Sequence, residues 1–448
     1  MVFSPLRYEN DLLDKSLFSD NMKKHLIIAS YDGISTHYCG VGTTTQDTIS
    51  FLADLLKSKR IKVSLAYISA DPDGKVFDQK SLKNSVKLVK RTGGHLIPLC
   101  NGTAGFSDYD MWQSFPQWEY ACASLASALN MILKNNEDNV IMLHDAPFLL
   151  FHKFKQQVFN KKFRCYYMPR SSGLNHKFGD KKWRQKRVKF EKEAFQAIQN
   201  DPNSAVLAIG KNFGQRLSKD YNLSFAKNDY LLNGLYFKNF RNYLNLKFDI
   251  RKLKEFDIDI NRGSKIIFSW GRASIAKGLK ELLKAWQQAS ESLPEHYMII
   301  QAPNNSGEDD YFKLLKKYEK EIPRTIIIDD FNPKIWQTIL RTRNTDIVCI
   351  PSTMDPNPHT PIEAKLFSRD MEYVIIGSNI DGVIDTFTNK ECLWVNPYDK
   401  KDFSNKILKA AKLNNKERHN MRKANNRSLS AYDYTKTIYS FLKRIKFI

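Results

Sequence analysis

Short apolar runs alternate along the chain with segments in which apolar residues recur every three or four positions. The first pattern predicts buried strands, and the second predicts amphipathic helices. In the first half, strands are predicted at 25–30, 61–68, 139–144, 165–168 and 205–209, and helices at 45–59, 116–133 and from 214. In the second half, strands are predicted at 265–270, 297–301, 325–328, 346–350 and 373–376, and a helix at 278–291. Strands that alternate with helices indicate an α/β fold with parallel, doubly wound sheets.

The chain is too long, at 448 residues, for one ordinary hydrophobic core. A polar and charged stretch at about 238–262 separates the two halves. We therefore expect a first Rossmann-like domain over 1–240, in which 1–22 form a loose leader, and a second over 241–433. The last segment, 434–448, is predicted to be a helix that returns to the first domain.

The composition is that of a globular protein with a large positive charge. Hydrophobic residues make up 42% of the chain, and 70 basic against 48 acidic residues give a formal net charge of +22. Such a charge attracts phosphates, acidic lipid headgroups or nucleic acid without choosing among them. The six cysteines form no CxxC pair, and we expect no signal peptide and no bilayer-spanning run. A cytoplasmic protein with reduced thiols is the expectation.

The most informative stretch is 351–364, which follows the strand predicted at 346–350. It contains four prolines, so it is predicted to be an extended loop that leads into a helix. Asp355 lies in this loop, and Glu363 lies at the start of the helix. Ligands bind at the carboxyl ends of the strands in open α/β sheets, so both acids are candidate site residues. A proline-rich loop with two solvated acids is the alternative interpretation.

A second candidate site is the loop 271–278, between a predicted strand and the helix that follows it. Arg272 and Lys277 flank this loop. A helix N-terminus presents free N–H groups and a partial positive charge, and an added guanidinium and ammonium would suit a diphosphate. Two unrelated surface cations are the alternative.

These two stretches together resemble the signature of the retaining glycosyltransferases related to sucrose synthase and bacterial glycogen synthase, which are glycosyl transferases of group 1. That family has Pro-Ser, two residues, an acid, seven residues and Glu-Ala, as found at 351–364. It also has Gly-Arg, four residues and Lys-Gly, as found at 271–278. The resemblance implies the GT-B architecture, in which two Rossmann-like domains face each other and a C-terminal helix crosses back to the first.

The resemblance also implies a role for each matched residue. Arg272 and Lys277 would neutralise the diphosphate leaving group, Asp355 would hold the donor-sugar hydroxyls, and Glu363 would hold the ribose. Weaker matches assign His144 to the 6-hydroxyl of the sugar. The further residues assigned to nucleotide-sugar binding are Gly40, Gly42, Asn357, His359 and Thr360. Asn357-Pro358 replaces the family's Phe-Gly, and Asp381 to Asp385 resembles its Gly-x-x-Glu segment with Asp in place of Glu.

The implied reaction moves a hexose-type sugar from a nucleoside diphosphate sugar, with UDP as the family's commonest carrier, and retains the anomeric configuration. The implied acceptor is a glycan, a lipid-linked precursor or a small molecule. We expect no cofactor besides the donor and no metal. The Asp-x-Asp pairs at 71–73 and 108–110 are accordingly interpreted as solvated turn acids.

A basic tract at 153–192 holds fourteen Lys and Arg against two acids, a net +12, with six Phe and Trp residues interleaved. It is interpreted either as a solvated face or as a surface that docks on an anionic membrane or a polyanionic acceptor. Docking on a membrane would make the protein peripheral at the membrane. Two other classes of function stay open. One is a basic protein that binds or modifies nucleic acid, and the other is a non-catalytic module that binds a nucleotide sugar.

Overall fold

The structure is a computed structural model, and it describes residues 23–448 apart from 38, 57–60, 70, 71, 73, 75, 76, 103–113, 176–179, 226–229, 305–307, 331 and 357. The predicted leader, the acids of both Asp-x-Asp pairs, and Asn357 therefore lie outside the described residues.

The first sheet has six parallel strands. They are β1 Lys23–Ser30, β2 Ile61–Ile68, β3 Leu96–Leu99, β4 Glu137–His144, β5 Arg164–Met168 and β6 Ser204–Val206. The strand order is β3-β2-β1-β4-β5-β6, so the direction of winding reverses between β1 and β4. The carboxyl ends of these two strands form the crevice in which such sheets bind ligands.

The second sheet repeats this topology. Its strands are β7 Lys265–Trp270, β8 His296–Gln301, β9 Thr325–Ile328, β10 Thr345–Ile350, β11 Val374–Ser378 and β12 Leu393–Val395. The order is β12-β11-β10-β7-β8-β9, and winding reverses between β7 and β10. The two candidate loops of the sequence follow β7 and β10, so they lie together at this switch point.

The helices cover both faces of each sheet. They are α1 Gly40–Leu55, α2 Gln79–Thr92, α3 Phe115–Ile132, α4 Phe151–Phe154, α5 Lys181–Gln199, α6 Lys211–Tyr221, α7 Arg241–Leu244, α8 Leu279–Ala289, α9 Asp309–Glu321, α10 Pro333–Leu340, α11 His359–Phe367, α12 Asp381–Ile384, α13 Lys400–Lys412, α14 Asn415–Leu429 and α15 Tyr434–Arg444. The predicted α/β class with two doubly wound domains is confirmed. Among the described residues, no helix has the length and apolar character needed to cross a membrane.

Some elements differ from the pattern-based prediction for identifiable reasons. The helix predicted from residue 45 begins at Gly40, because the Asp32 carboxylate accepts the N–H groups of Cys39 and Gly42 and so caps the additional turn. The short strands β3 and β12 were not predicted. β3 has four residues and contains Pro98, which breaks the apolar run.

Two crossings of the chain connect the domains. Leu235, Phe240 and Leu253 pack in the core of the second domain, so the expected boundary at 240/241 falls inside this connecting segment. The returning chain pairs with it: the Tyr434 N–H donates to the Leu235 carbonyl at 3.0 Å, and the Leu235 N–H donates to the Tyr432 carbonyl at 2.9 Å. α15 then packs on the first sheet, where the Phe441 ring lies 5.3 Å from that of Tyr166.

Candidate active site

A cavity of about 910 Å³ lies between the two domains and is lined by residues from both switch points. The first domain contributes the start of α1 and the residues that follow β4 and β5. The second contributes the loops after β7 and β10 and the first residues of α11. The cavity therefore occupies the position at which a doubly wound sheet binds ligands, for both sheets at once.

Glycine at position 278 allows the two second-domain loops to meet. Gly278 has a φ of 65°, and a Cβ there would lie 1.9 Å from the Pro351 carbonyl oxygen. Any other residue would push the 271–278 loop away from the 351–364 loop. Their contact places the Lys277 Nζ 2.5 Å from an Asp355 carboxylate oxygen.

The two predicted cations of this loop are held differently. Asp355 fixes the Lys277 ammonium, and both side chains are less than one-fifth exposed. Arg272 also lines the cavity and is half-buried, but no carboxylate of the described residues lies within ion-pair distance of it. The Arg272 guanidinium is therefore available to an anionic ligand, and the Lys277 ammonium is already oriented.

Glu363 lies at the inner end of the cavity, on α11. It is 8% exposed, and one carboxylate oxygen accepts a hydrogen bond from the Trp270 indole N–H at 2.8 Å. Burial raises the pKa of Glu363 to about 7, against the opposing effects of Trp270 and Lys277. The Trp270 ring stacks on that of Trp336 at 5.7 Å, and both line the cavity. This end thus combines an apolar wall with one carboxylate that can accept hydrogen bonds from hydroxyl groups.

The N-terminus of α11 faces the same cavity, and no side chain of the described residues caps it. His359 and Thr360, both predicted site residues, line the cavity at this end. The His359 Nε2 lies 3.2 Å from the Thr44 hydroxyl of the first domain. Burial, with Arg170 and Lys277 nearby, lowers the pKa of His359 to about 3, so its ring is neutral at neutral pH.

Only one of the two predicted glycines lines the cavity. Gly40 does so, and a Cβ there would lie 3.5 Å from the His359 Nδ1. The Gly42 N–H instead donates to the Asp32 carboxylate at 3.1 Å, and a Cβ at Gly42 would lie 2.5 Å from the same oxygen. Gly42 therefore packs the start of α1 against Asp32, and this placement gives no support to the predicted phosphate contact.

His144 is placed behind the cavity, not in its lining. It is 1% exposed, and neither ring nitrogen has a hydrogen-bond partner among the described residues. The next residue, Asp145, has a φ of 68° and does line the cavity. Successive strand residues point to opposite faces, so the end of β4 presents Asp145 where the sequence comparison placed His144. This position does not support the predicted contact of His144 with the sugar.

The sequence patterns did not identify the first-domain wall of the cavity. That wall includes His37, Asp47, Asp145 and Arg170. Burial raises the pKa of Asp47 to about 7, although its carboxylate accepts hydrogen bonds from the Tyr236 N–H and the Asn239 amide. Asp145 and Arg170 follow β4 and β5 directly, so the position of residues at strand ends was the one signal that could have found them.

Comparison with known proteins agrees with this geometry. Residues 250–428 match the model of the family described as Glycosyl transferases group 1. A search of curated proteins by sequence finds no match.

Three solved structures illustrate the structural similarity. Sucrose-phosphate synthase from Thermosynechococcus elongatus has a TM-score of 0.68 at 13% identity, over 95% of this chain and 98% of that one. The α,α-trehalose 6-phosphate synthase from Burkholderia multivorans gives 0.65 at 13% identity, over 95% and 96%. Anabaena Alr3699/HepE, in complex with UDP and glucose, gives 0.64 at 13% identity, over 95% and 100%. The second domain is therefore similar to the group 1 glycosyl transferases, and the whole chain has the GT-B fold of two facing Rossmann-like domains.

Proposed function

We propose that this chain is a retaining glycosyltransferase, akin to the sucrose synthase and glycogen synthase group, that transfers a hexose-type sugar from a UDP-linked donor to a sugar-type acceptor. The observation that carries the proposal is the convergence of Arg272, Lys277, Asp355 and Glu363 in one interdomain cavity. The family match over 250–428 supports glycosyl transfer, and the complex of HepE with UDP and glucose favours this donor class.

The proposed chemistry depends on charge that develops on the leaving group. As the bond between the anomeric carbon and the diphosphate oxygen breaks, negative charge grows on the diphosphate. Asp355 already orients Lys277, and Arg272 and the N-terminus of α11 line the same cavity, so together they stabilise this charge with little reorganisation. Asp355 orients the donor sugar, and Glu363 accepts the ribose hydroxyls.

The acceptor enters from the first-domain side in this proposal. Its hydroxyl oxygen forms the new bond on the face that the diphosphate leaves, and its proton passes to the departing phosphate oxygen. This sequence needs no protein base, no cofactor and no metal. The acceptor class stays open between a glycan, a lipid-linked precursor and a small molecule, although sucrose-phosphate and trehalose 6-phosphate synthases share the fold.

Ligand-induced stabilisation tests the donor assignment. We expect a UDP-sugar to raise the melting temperature more than GDP- or ADP-sugars do, because a ligand that binds only the folded state stabilises it. Steady release of nucleoside diphosphate from the same donor then separates an enzyme from a non-catalytic binding module. A chain that no nucleotide sugar stabilises would contradict the proposal.

The basic tract supports a further proposal, which is peripheral attachment to an anionic membrane through the outer face of α5. The exposed residues of this face include five lysines without an acidic partner in the described part of the chain: Lys181, Lys182, Lys186, Lys189 and Lys192. The aromatic rings of the helix point inwards, since Trp183 stacks on Phe115 at 5.3 Å and Phe190 meets Phe115 at 5.1 Å. Rings packed against one another in this way leave little free face for stacking on bases, so this helix does not favour the nucleic-acid interpretation.

Each lysine near an anionic leaflet contributes about 1 kcal/mol, so several together give reversible attachment. We expect co-sedimentation with vesicles that contain acidic lipid, weaker at high salt. Replacing Lys181, Lys182, Lys189 and Lys192 by Gln should abolish binding. The matched variant with Lys401, Lys409, Lys412 and Lys416 replaced by Gln has the same net charge and should bind. The proposal would be refuted if as much protein sedimented with neutral vesicles as with acidic ones. It would also be refuted if both lysine variants lost binding to the same extent.

A further inference from the structure

Arg170 follows β5 and lines the interdomain cavity from the first-domain side. One guanidinium nitrogen, Nη1, donates to the Asn233 side-chain oxygen at 3.1 Å. The Nε is buried and has no hydrogen-bond partner. The Asp145 carboxylate accepts the Arg170 backbone N–H at 3.0 Å, and no carboxylate of the described residues lies within ion-pair distance of the guanidinium.

This arrangement leaves a half-buried guanidinium, whose Nε is fully buried, without a carboxylate of the described residues within ion-pair distance. A guanidinium stays protonated in proteins, and burying a charge without a partner costs several kcal/mol. Its five donors lie in one plane, in a geometry that matches the oxygens of a phosphate. A cavity that holds such a group with most of its donors unused is built for an anionic ligand.

Arg170 is also connected to the second domain. Asn233, which holds its Nη1, lies 3.3 Å from the Thr44 hydroxyl, and that hydroxyl lies 3.2 Å from the His359 Nε2. His359 is the first residue of α11, whose N-terminus faces the cavity. The guanidinium is thus oriented by contacts that depend on both domains, at the point where the predicted diphosphate site meets the first domain.

We infer that Arg170 binds a phosphate group of the substrate and completes, from the first domain, the anion site that Arg272 and Lys277 form in the second. This inference rests on the proposed function. The phosphate comes either from the donor diphosphate or from a phosphorylated sugar acceptor, because both present the same oxygens to the guanidinium.

Calorimetric titration separates the two sources. UDP, GDP and ADP report on the donor site. Glucose 6-phosphate, compared with glucose on the nucleotide-saturated protein, reports on an acceptor phosphate. Arg170→Gln should weaken the binding of the ligand that Arg170 contacts by about 10- to 100-fold, as expected for the loss of a hydrogen bond between charged groups. Arg170→Lys should be intermediate, because it keeps the charge and loses the planar fork.

Arg91→Gln is the matched control, since Arg91 is an exposed first-domain arginine on α2 that does not line the cavity. This variant removes the same charge, and its dissociation constant for each ligand should stay within about twofold of the wild-type value. Melting temperatures of all variants show whether a loss of affinity reflects unfolding.

Weaker UDP binding in Arg170→Gln assigns Arg170 to the donor, and weaker glucose 6-phosphate binding alone assigns it to the acceptor. A folded Arg170→Gln protein that binds both ligands as the wild type does overturns the inference and leaves the proposed function standing. Wild-type protein that binds none of the nucleotides and no sugar phosphate overturns both.

Discussion

Arg272 and Lys277, the two cations of the candidate diphosphate site, are held in different ways. Lys277 is held by Asp355 at 2.5 Å, whereas Arg272 has no ion pair among the described residues. In the proposed reaction both act on charge that is larger in the transition state than in the bound donor. Residues of this kind affect turnover more than ground-state binding.

Replacing either cation by alanine should therefore lower turnover by roughly 10²–10³-fold. Neither side chain is part of a hydrophobic core, so the melting temperature should change little. Initial rates of nucleoside diphosphate release, with a thermal melt of each variant, measure both quantities. Near-normal turnover in a folded Arg272→Ala or Lys277→Ala protein would show that the diphosphate lies elsewhere.

Glu363 should make donor binding depend on pH. Burial raises its pKa to about 7, so only a minority of the carboxylates are ionised at pH 6 and most are ionised at pH 8. A carboxylate that accepts ribose hydroxyls must be ionised, so affinity should rise by roughly tenfold from about pH 6 to 8. A nucleotide sugar is the right probe, because its diphosphate diester does not titrate in this range. The affinity of Glu363→Gln for the donor should not change with pH in this range. If affinity still rose with pH as in the wild type, Glu363 would be excluded as the cause.

At this scale the sequence pointed to the second-domain half of the candidate site but, apart from Gly40, not to the first-domain half. Arg272, Lys277, Asp355 and Glu363 belong to two fixed-spacing stretches, and both follow strands that neighbour each other in the sheet. Arg170 has no such spacing, and its significance comes from partners that it lacks in the folded protein. His144 was chosen from its place at a strand end, but the cavity is lined by the next residue, Asp145, whose φ of 68° no sequence pattern encodes.

Among the elements, α11 is anchored to its neighbours through Lys365. Lys365 is fully buried and donates to the Thr386 carbonyl at 2.6 Å and the Ser428 hydroxyl at 2.7 Å. Its ammonium also lies 3.3 Å from the Glu391 carboxylate. The helix that presents His359 and Glu363 to the cavity is thereby fixed to α14 and to the loop after α12.

Lys365→Met should destabilise the protein by about 3–5 kcal/mol, because it leaves the buried Glu391 carboxylate without its cation. The double variant with Glu391→Gln should recover part of this loss. Lys317→Met removes an ammonium from an exposed ion pair with Glu321 and should cost less than about 1 kcal/mol. Urea unfolding of the four proteins measures these differences. Equal costs at the two sites would mean that the buried contacts do not anchor α11.

Apolar periodicity predicted most of the strands and a minority of the helices, but it gave no information on how they face one another. The interleaved aromatic residues of the basic tract illustrate this limit. Their spacing on α5 turns Trp183 and Phe190 towards the core, while the lysines between them face outwards. From the sequence alone, an exposed aromatic groove built from the same residues stayed open as an alternative.

On the scale of the whole molecule, the proposed mechanism uses fixed cations from both domains in place of a metal. Chelation with EDTA should therefore leave the rate of donor turnover largely unchanged. The measurement is the initial rate before and after dialysis against EDTA, with Mn²⁺ or Mg²⁺ added back. Complete loss of activity that either ion restores would instead give a role to one of the Asp-x-Asp pairs.

The contact between the two crossings of the chain shows most clearly what the sequence could not specify. The polar stretch at 238–262 marks where the chain leaves the first domain, but nothing in its composition shows that Leu235 pairs with the returning segment at 432–434. Two residues separated by nearly two hundred positions form this contact, and its register depends on the finished positions of both domains.

The return of α15 also has a consequence for synthesis on the ribosome. Phe441 and Leu442 are almost fully buried against the sheet that contains β1, so the first domain is assembled from both extremes of the chain. α1 and α2 cover part of the apolar face that includes Leu26 and Ile28, and α15 completes the cover. The second domain is by then completely translated and free to fold. The first domain is thus completed only after the second has been translated, and a chain that stops before α15 leaves part of this apolar face exposed.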